Sequence, residues 1–369
     1  MFRVEKIFTT KLIIFNFFAC LLVACSQQAT PSTTLIESPQ LDTPTETKFS
    51  ETSPTLTPTI TISPTITPSE TPTQRPTPED YLLPPLSGKI AFVTTTVTDE
   101  YGDQDHIYIM DMADTDNIWR FTDEGRFNSD PAWSPSGNEI AFSSNRGLDT
   151  GRFYIYVKSI HGGEAIRITT NYRVHELHPT WSPDGKSIAF TMRGHEGGLS
   201  SDIFIMDRKG QNQQPITDTT LPESYPAWSP VDDVIAFLYA DDAESDEYNP
   251  VYYVYVMNSD GSNRRKISDL PAIGPITWSP DGLQMAFIVK RESSHDIYVI
   301  NVDGSQGFFL TNDPNKYYYY PSWSPDGMYI AYDSADYHIS ISDLYGTIVK
   351  TIAIVPDYGW QLLYISWSR

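Results

Sequence analysis

Five times between Trp133 and Tyr332 the chain spells Trp-Ser-Pro-Asp-Gly, two further residues and Ile-Ala-Phe, with small variations. Trp133-Ser134-Pro135-Ser136-Gly137 leads to Ile140-Ala141-Phe142, and Trp181-Ser182-Pro183-Asp184-Gly185 leads to Ile188-Ala189-Phe190. Trp228-Ser229-Pro230-Val231-Asp232 precedes Ile235-Ala236-Phe237, Trp278-Ser279-Pro280-Asp281-Gly282 precedes Met285-Ala286-Phe287, and Trp323-Ser324-Pro325-Asp326-Gly327 precedes Ile330-Ala331-Tyr332. The spacing is roughly 47 residues, and a period of about 40–50 residues is the signature of a propeller. The ends complete each other. Gly88-Lys89-Ile90-Ala91-Phe92 has the second half of the phrase, and Ile365-Ser366-Trp367-Ser368-Arg369 has the first. Five whole units and one split unit predict a ring of six, in which the last strand pairs beside the first and no sheet edge stays open.

The phrase has a mechanical reading. Pro-Asp-Gly between apolar runs is a tight turn, with Pro presetting φ and Gly accepting φ > 0. Ile-Ala-Phe is an unbroken apolar strand, as expected where both faces are covered. Its small Ala suits crowded sheets, and the Trp reads as a wedge between them. A second apolar strand follows, such as Ile203-Phe204-Ile205-Met206 or Ile297-Tyr298-Val299-Ile300, then a polar turn and a weak outer strand such as Ile166-Arg167-Ile168-Thr169. The expected fold is therefore all-β: a six-bladed β-propeller over residues 86–369, with four antiparallel strands per blade, A to D from axis to rim.

The first 85 residues do not belong to this pattern. Arg3, Lys6 and Lys11 precede an apolar run from Leu12 to Ala24, too short for a typical membrane span and ending at small residues. That is the pattern of a signal peptide, residues 1–24. From Ser26 to Pro85 the chain is dominated by Thr, Pro and Ser, which cannot bury a core, so residues 25–85 read as a disordered, extended stalk. The only two cysteines are Cys20 and Cys25, so the domain has no disulfide and no cysteine chemistry. Net charge is −22, which disfavours nucleic acid and anionic lipid as partners.

Leu22-Val23-Ala24-Cys25 resembles the lipobox of bacterial lipoproteins. That resemblance implies cleavage before Cys25 and diacylation of its thiol, giving an extracytoplasmic protein anchored to the cell membrane or surface. The Trp-Ser-Pro-Asp-Gly units resemble the TolB-like, WD-repeat-like propellers. The resemblance covers residues 86–369 and implies a six-bladed propeller used for protein binding. Related propellers gate peptidases, but the Gly-x-Ser-x-Gly nucleophile elbow of their hydrolase domain is absent here. No catalytic residue and no cofactor is expected.

In this strand order the D-to-A and B-to-C loops share one face of the disc. These connections are long and variable, and function concentrates on such loops over a rigid scaffold. The D-to-A segments carry Arg126 and Asp130, then His175, Glu176 and His178, then Glu223 and Tyr225, then Tyr317 and Tyr320, then Tyr358 and Trp360. The B-to-C segments carry Arg193 and His195, and an acidic run from Asp241 and Asp242 to Glu247. These residues are the ligand-binding candidates: a polar, aromatic-rimmed face at the channel mouth. The favoured reading is a monomeric binding module for an envelope protein, peptide or glycan. The alternative is a metal-assisted polysaccharide lyase or hydrolase, for which His175, His178 and His195 would be the ligands. A purely structural role is the third reading.

Overall fold

The computed structural model describes residues 84–98, 102–124, 127–147, 151–194, 201–240, 250–334, 338–354 and 362–368; the proposed signal peptide, Cys25 and the stalk lie outside them. Twenty-four strands form six four-stranded antiparallel sheets, and no helix occurs among the described residues. Blade 1 holds β1 (Lys89–Thr98), β2 (Gly102–Asp111) and β3 (Asp114–Arg120). Blade 2 is β4 (Asn128–Trp133), β5 (Glu139–Ser144), β6 (Tyr154–Ser159) and β7 (Ile166–Arg167). Blade 3 is β8 (His175–Trp181), β9 (Ser187–Arg193), β10 (Ser201–Asp207) and β11 (Gln214–Pro215). Blade 4 is β12 (Glu223–Trp228), β13 (Val234–Ala240), β14 (Tyr252–Asn258) and β15 (Arg265–Lys266). Blade 5 is β16 (Ala272–Trp278), β17 (Gln284–Lys290), β18 (His295–Asn301) and β19 (Phe308–Phe309). Blade 6 is β20 (Tyr319–Trp323), β21 (Tyr329–Asp333), β22 (His338–Asp343) and β23 (Ile348–Ala353).

The last strand, β24 (Leu362–Trp367), supplies the inner strand of blade 1, with Ile90 opposite Trp367 and Ala91 opposite Ser366. The Lys89 amide donates to the Ser368 hydroxyl at 2.7 Å, and the Ser368 amide donates back to the Lys89 carbonyl at 2.7 Å. The ring is thus closed by the split unit, as the two half-phrases predict.

The core is not one mass but six wedges, each lying between neighbouring blades. Every wedge combines the alanine of one blade with the tryptophan of the next: Ala91 with Trp133, Ala141 with Trp181, Ala189 with Trp228, and so on round to Ala331 with Trp367. All six alanines are fully buried, so any larger side chain there would push two sheets apart. Four of the indoles also donate a hydrogen bond. Trp181 reaches Ala132 of the preceding inner strand at 3.2 Å, Trp278 reaches Ala227 at 2.8 Å, Trp133 reaches Ser366 at 2.9 Å, and Trp367 reaches Ser87 at 2.8 Å.

The turn chemistry is equally regular. In Trp-Ser-Pro-Asp-Gly the Gly amide donates to the Ser carbonyl, and the Ser hydroxyl donates to the Asp carboxylate, at 2.7 Å for Ser182 and Asp184. At the rim the outer strands β7, β11, β15 and β19 are only two residues long. In blades 1, 2, 3 and 5 a threonine hydroxyl accepts the backbone amide of the third strand, as Thr311 does from Ile297 at 2.9 Å. This side-chain bond extends pairing where the weak outer strand runs out.

Candidate functional site

Each inner strand slips register part-way along. In β4, Asn128 and Ser129 pair with Ser144 and Ser143, and pairing resumes at Ala132 opposite Ala141. The same shift falls between Leu177 and Thr180, between Ser224 and Ala227, and between Tyr319 and Ser322. In four of these strands Pro131, Pro179, Pro226 and Pro321 have no amide to give to the ladder and fit the bulge, while β24 bulges at the same place with Ile365, so proline accompanies the bulge without being required for it. The residue before each proline takes a left-handed backbone: Asp130 at φ 53°, His178 at 53°, Tyr225 at 52° and Tyr320 at 53°. Tyr364 in β24 does the same at 48°, and blade 5 substitutes Gly274 at 67°. A non-glycine residue held this way costs about 1–3 kcal/mol, and such strain gathers at functional sites.

The bulges bring these side chains together around the axis. A cavity of about 190 Å³ is bounded by all six inner strands, and Asp130, His178, Tyr225 and Tyr364 line it. His178 stacks on Tyr225 with ring centroids 3.8 Å apart. Tyr320 packs on Tyr364 at 4.8 Å, and the Tyr225 and Tyr364 hydroxyls share a hydrogen bond. His178 Nδ1 bonds the Thr191 hydroxyl at 3.1 Å, while its Nε2 lies 3.9 Å from Asp130 Oδ1. Asp130 Oδ2 accepts from the Ser129 hydroxyl at 3.0 Å.

Burial sets the charge state of this ring. It lowers the His178 pKa, an effect opposed by Asp130 and reinforced by the Arg193 guanidinium nearby. It raises the phenols of Tyr225, Tyr320 and Tyr364 well above their ordinary value. At neutral pH the ring therefore presents a neutral imidazole, three neutral phenols and one carboxylate. What this ring can offer chemically is hydrogen bonds, aromatic surface and one carboxyl group.

Of the residues expected to bind, Asp130, His178, Tyr225 and Tyr320 meet in this ring, and Arg193 stands close enough to perturb His178 and Tyr225. They belong to inner strands rather than to free loops, because each strand starts before its proline and continues through the bulge. Glu176 and Glu223 point elsewhere. Both are fully buried at equivalent positions five residues before a tryptophan, and Glu223 is paired with Arg264 at 2.5 Å. Burial raises the carboxyls of both, Glu176 to about 7. His175 packs against Phe153 at 6.1 Å. Tyr317 joins His295 and Tyr319 in a separate aromatic group, with its ring 5.0 Å from the imidazole and 6.5 Å from the phenol. Arg126, His195, Asp241, Asp242, Tyr358 and Trp360 lie outside the described residues. Among the described residues no three His, Cys, Asp or Glu side chains are placed to hold a metal ion.

Sequence reasoning missed Tyr364. Its signal was available, because Asp130, His178, Tyr225, Tyr320 and Tyr364 all stand three residues before the tryptophan of their unit. Aligning the repeats on that tryptophan finds the whole ring.

A model of the TolB beta propeller domain matches residues 87–272, just over half of the chain. Among curated proteins the chain is 28% identical over 99 residues to the uncharacterized peptidase YuxL of Bacillus subtilis (strain 168), a stretch that is 27% of this chain and 14% of that relative. Among solved structures, TolB from Acinetobacter baumannii matches with a TM-score of 0.62 at 20% identity, over 77% of this chain and 67% of that one. A propeller in the nidogen/laminin complex gives 0.60 at 14% identity, over 76% and 98%. A putative TolB from Agrobacterium tumefaciens gives 0.52 at 20%, over 73% and 90%. At such identities the structural likenesses speak to the fold. With its repeats, its closed ring of six blades and a family match across half its length, the chain belongs to the TolB-type β-propellers.

Proposed function

We propose that the protein is an extracytoplasmic binding module. A lipid on Cys25 holds it to the membrane, residues 26–85 space it outward, and the channel mouth takes a protein, peptide or envelope glycan. The observation that carries this reading is the ring itself. Four non-glycine residues held in the left-handed region line one cavity, with Tyr320 packed behind Tyr364, and packing alone offers no reason to repeat that cost. The envelope address rests on the signal-like segment and the lipobox-like tetrapeptide.

The test uses the full chain expressed with its leader, isolated with the membrane fraction and cross-linked within the envelope. His178→Ala with Tyr225→Ala is expected to weaken capture about tenfold or more, as for residues at the centre of an interface, with a Tm close to that of the parent. Cys25→Ser is expected to leave the membrane fraction. Unchanged cross-linking in the double variant sinks the assignment of this mouth as the binding face.

A further inference from the structure

Among the described residues that line the cavity, Asp130 is the one carboxylate and none is Lys or Arg. The Arg193 guanidinium lies outside the lining but close enough to act on His178 and Tyr225, and burial disfavours the charged form of the His178 imidazole. The Asp130 side chain is 6% exposed. Its Oδ2 is occupied, by the Ser129 hydroxyl at 3.0 Å and the His178 amide at 3.4 Å. Its Oδ1 is buried with no hydrogen-bond partner. The nearest cation-capable group to it is His178 Nε2, at 3.9 Å. A carboxyl oxygen buried without a hydrogen bond is costly, and a native fold that keeps one calls for a reason, of which an arriving donor is one. Tyr225 and Tyr364 line the same cavity close enough for the Asp130 charge to act on their phenols, with Tyr320 packed on Tyr364.

From this geometry we propose that the channel is an ammonium site: it receives a primary ammonium group, from a lysine side chain or a free amino terminus, onto Asp130 Oδ1 within a cage of tyrosine rings. The inference rests on the channel mouth being the binding face. An ammonium group has three donors, which suits one carboxylate oxygen and neighbouring phenol oxygens. Aromatic faces attract a desolvated cation. A guanidinium is disfavoured, because its planar fork wants two free carboxylate oxygens and only one is open. A hard metal ion is disfavoured, because it needs several anionic or carbonyl oxygens and the ring has one carboxylate among neutral phenols. An anion meets the wrong sign, both in the wall and in a chain of net charge −22, whose field steers cations inward.

The experiment is calorimetric titration of the purified full chain with capped tripeptides. Acetyl-Gly-Lys-Gly-amide carries only a side-chain ammonium, Gly-Gly-Gly-amide only a terminal one, and acetyl-Gly-Gly-Gly-amide neither. At least one charged peptide is expected to bind in roughly the millimolar range, as befits a ligand of few atoms. The uncharged peptide and acetyl-Gly-Arg-Gly-amide should bind at least tenfold more weakly. Asp130→Asn should weaken the charged peptide about tenfold while keeping or raising the Tm, since Asn tolerates the left-handed backbone and its amide oxygen can replace Oδ2. Binding of the uncharged or the arginine peptide at parity, unchanged binding in Asp130→Asn, no binding of any peptide, or a Tm lowered by several degrees would each overturn the assignment. If Asp130→Asn binds the charged peptides normally while the His178 and Tyr225 variants lose envelope capture, the ammonium site alone fails and the binding face stands.

Discussion

Glu176 and Asp130 both hold carboxyl oxygens out of water, yet their settings differ. Asp130 faces a cavity. Glu176 is fully buried, and the Thr169 hydroxyl and the Arg167 charge offset only part of that burial. Burial raises its pKa from 4.5 to about 7. The folded carboxyl therefore keeps its proton after the unfolded one has lost it. Stability should fall as pH climbs from about 4.5 through 7 and then level off, by up to the order of 3 kcal/mol at about 1.4 kcal/mol per pH unit. Glu176→Gln should flatten that slope, raising the Tm at pH 8 and leaving it little changed at pH 4.5. Thermal melts across pH 4–9 decide it, and an equal slope in the variant would exclude Glu176 as the source. The equivalent Glu223 is ion-paired to Arg264, whose guanidinium also lies over Phe237 and Tyr239 at 4.9 and 4.8 Å. The same position thus has an ion pair on one oxygen in blade 4 and no ion pair in blade 3.

At the scale of the element, the blades share one plan but not equal cement. Trp278 is buried and its indole donates to the Ala227 carbonyl at 2.8 Å. Trp323 is as buried, but its indole nitrogen has no partner. Phenylalanine at either site removes similar apolar area. Only at position 278 does it also orphan a carbonyl, so Trp278→Phe should cost about 1–2 kcal/mol more than Trp323→Phe. Denaturant melts of the two variants measure the difference, and equal losses would mean that the inter-blade hydrogen bonds contribute nothing net. Blade 5 departs from the plan in another way. Its bulge is one residue longer, and Gly274 brings no side chain to the ring. Blade 5 therefore lines the cavity with Pro275, Ile276 and Thr277 instead of a polar or aromatic ring member.

For the whole molecule, closure is the critical event. The contact of β24 with β1 joins residues at opposite ends of the domain, 279 positions apart in the Lys89–Ser368 bond, and no local turn specifies it. Removing residues 362–369 should leave the inner edge of β1 unpaired and open the wedge between blades 6 and 1, which Trp367 fills. Exposed edges template association. The truncated chain is expected to lose its single cooperative melt and to elute as oligomers in size-exclusion chromatography; a monomer with an unchanged melt would show that closure is dispensable. Closure also fixes the site, because Tyr364 enters the ring from the last strand while Asp130 enters from blade 2.

The repeat was legible because its parts are local. Turn chemistry, apolar runs and period stand in contiguous residues, and the two half-phrases at the ends already imply a closed ring of six. Four members of the channel ring were legible too, although they were read as loop residues among eleven others. What could not be read was which candidates face the axis. A strand alternates its sides every residue, and each bulge inserts an uncounted step, so Glu176 and His178 go to different neighbourhoods only once the register with β9 is set. The sequence alone therefore determined the number of blades and the chemistry available. Only the tertiary structure decided that one carboxylate, one imidazole and two phenols from four separate blades share a single cavity, with a third phenol packed behind them, because that meeting depends on register and closure, which are properties of distant strands in contact.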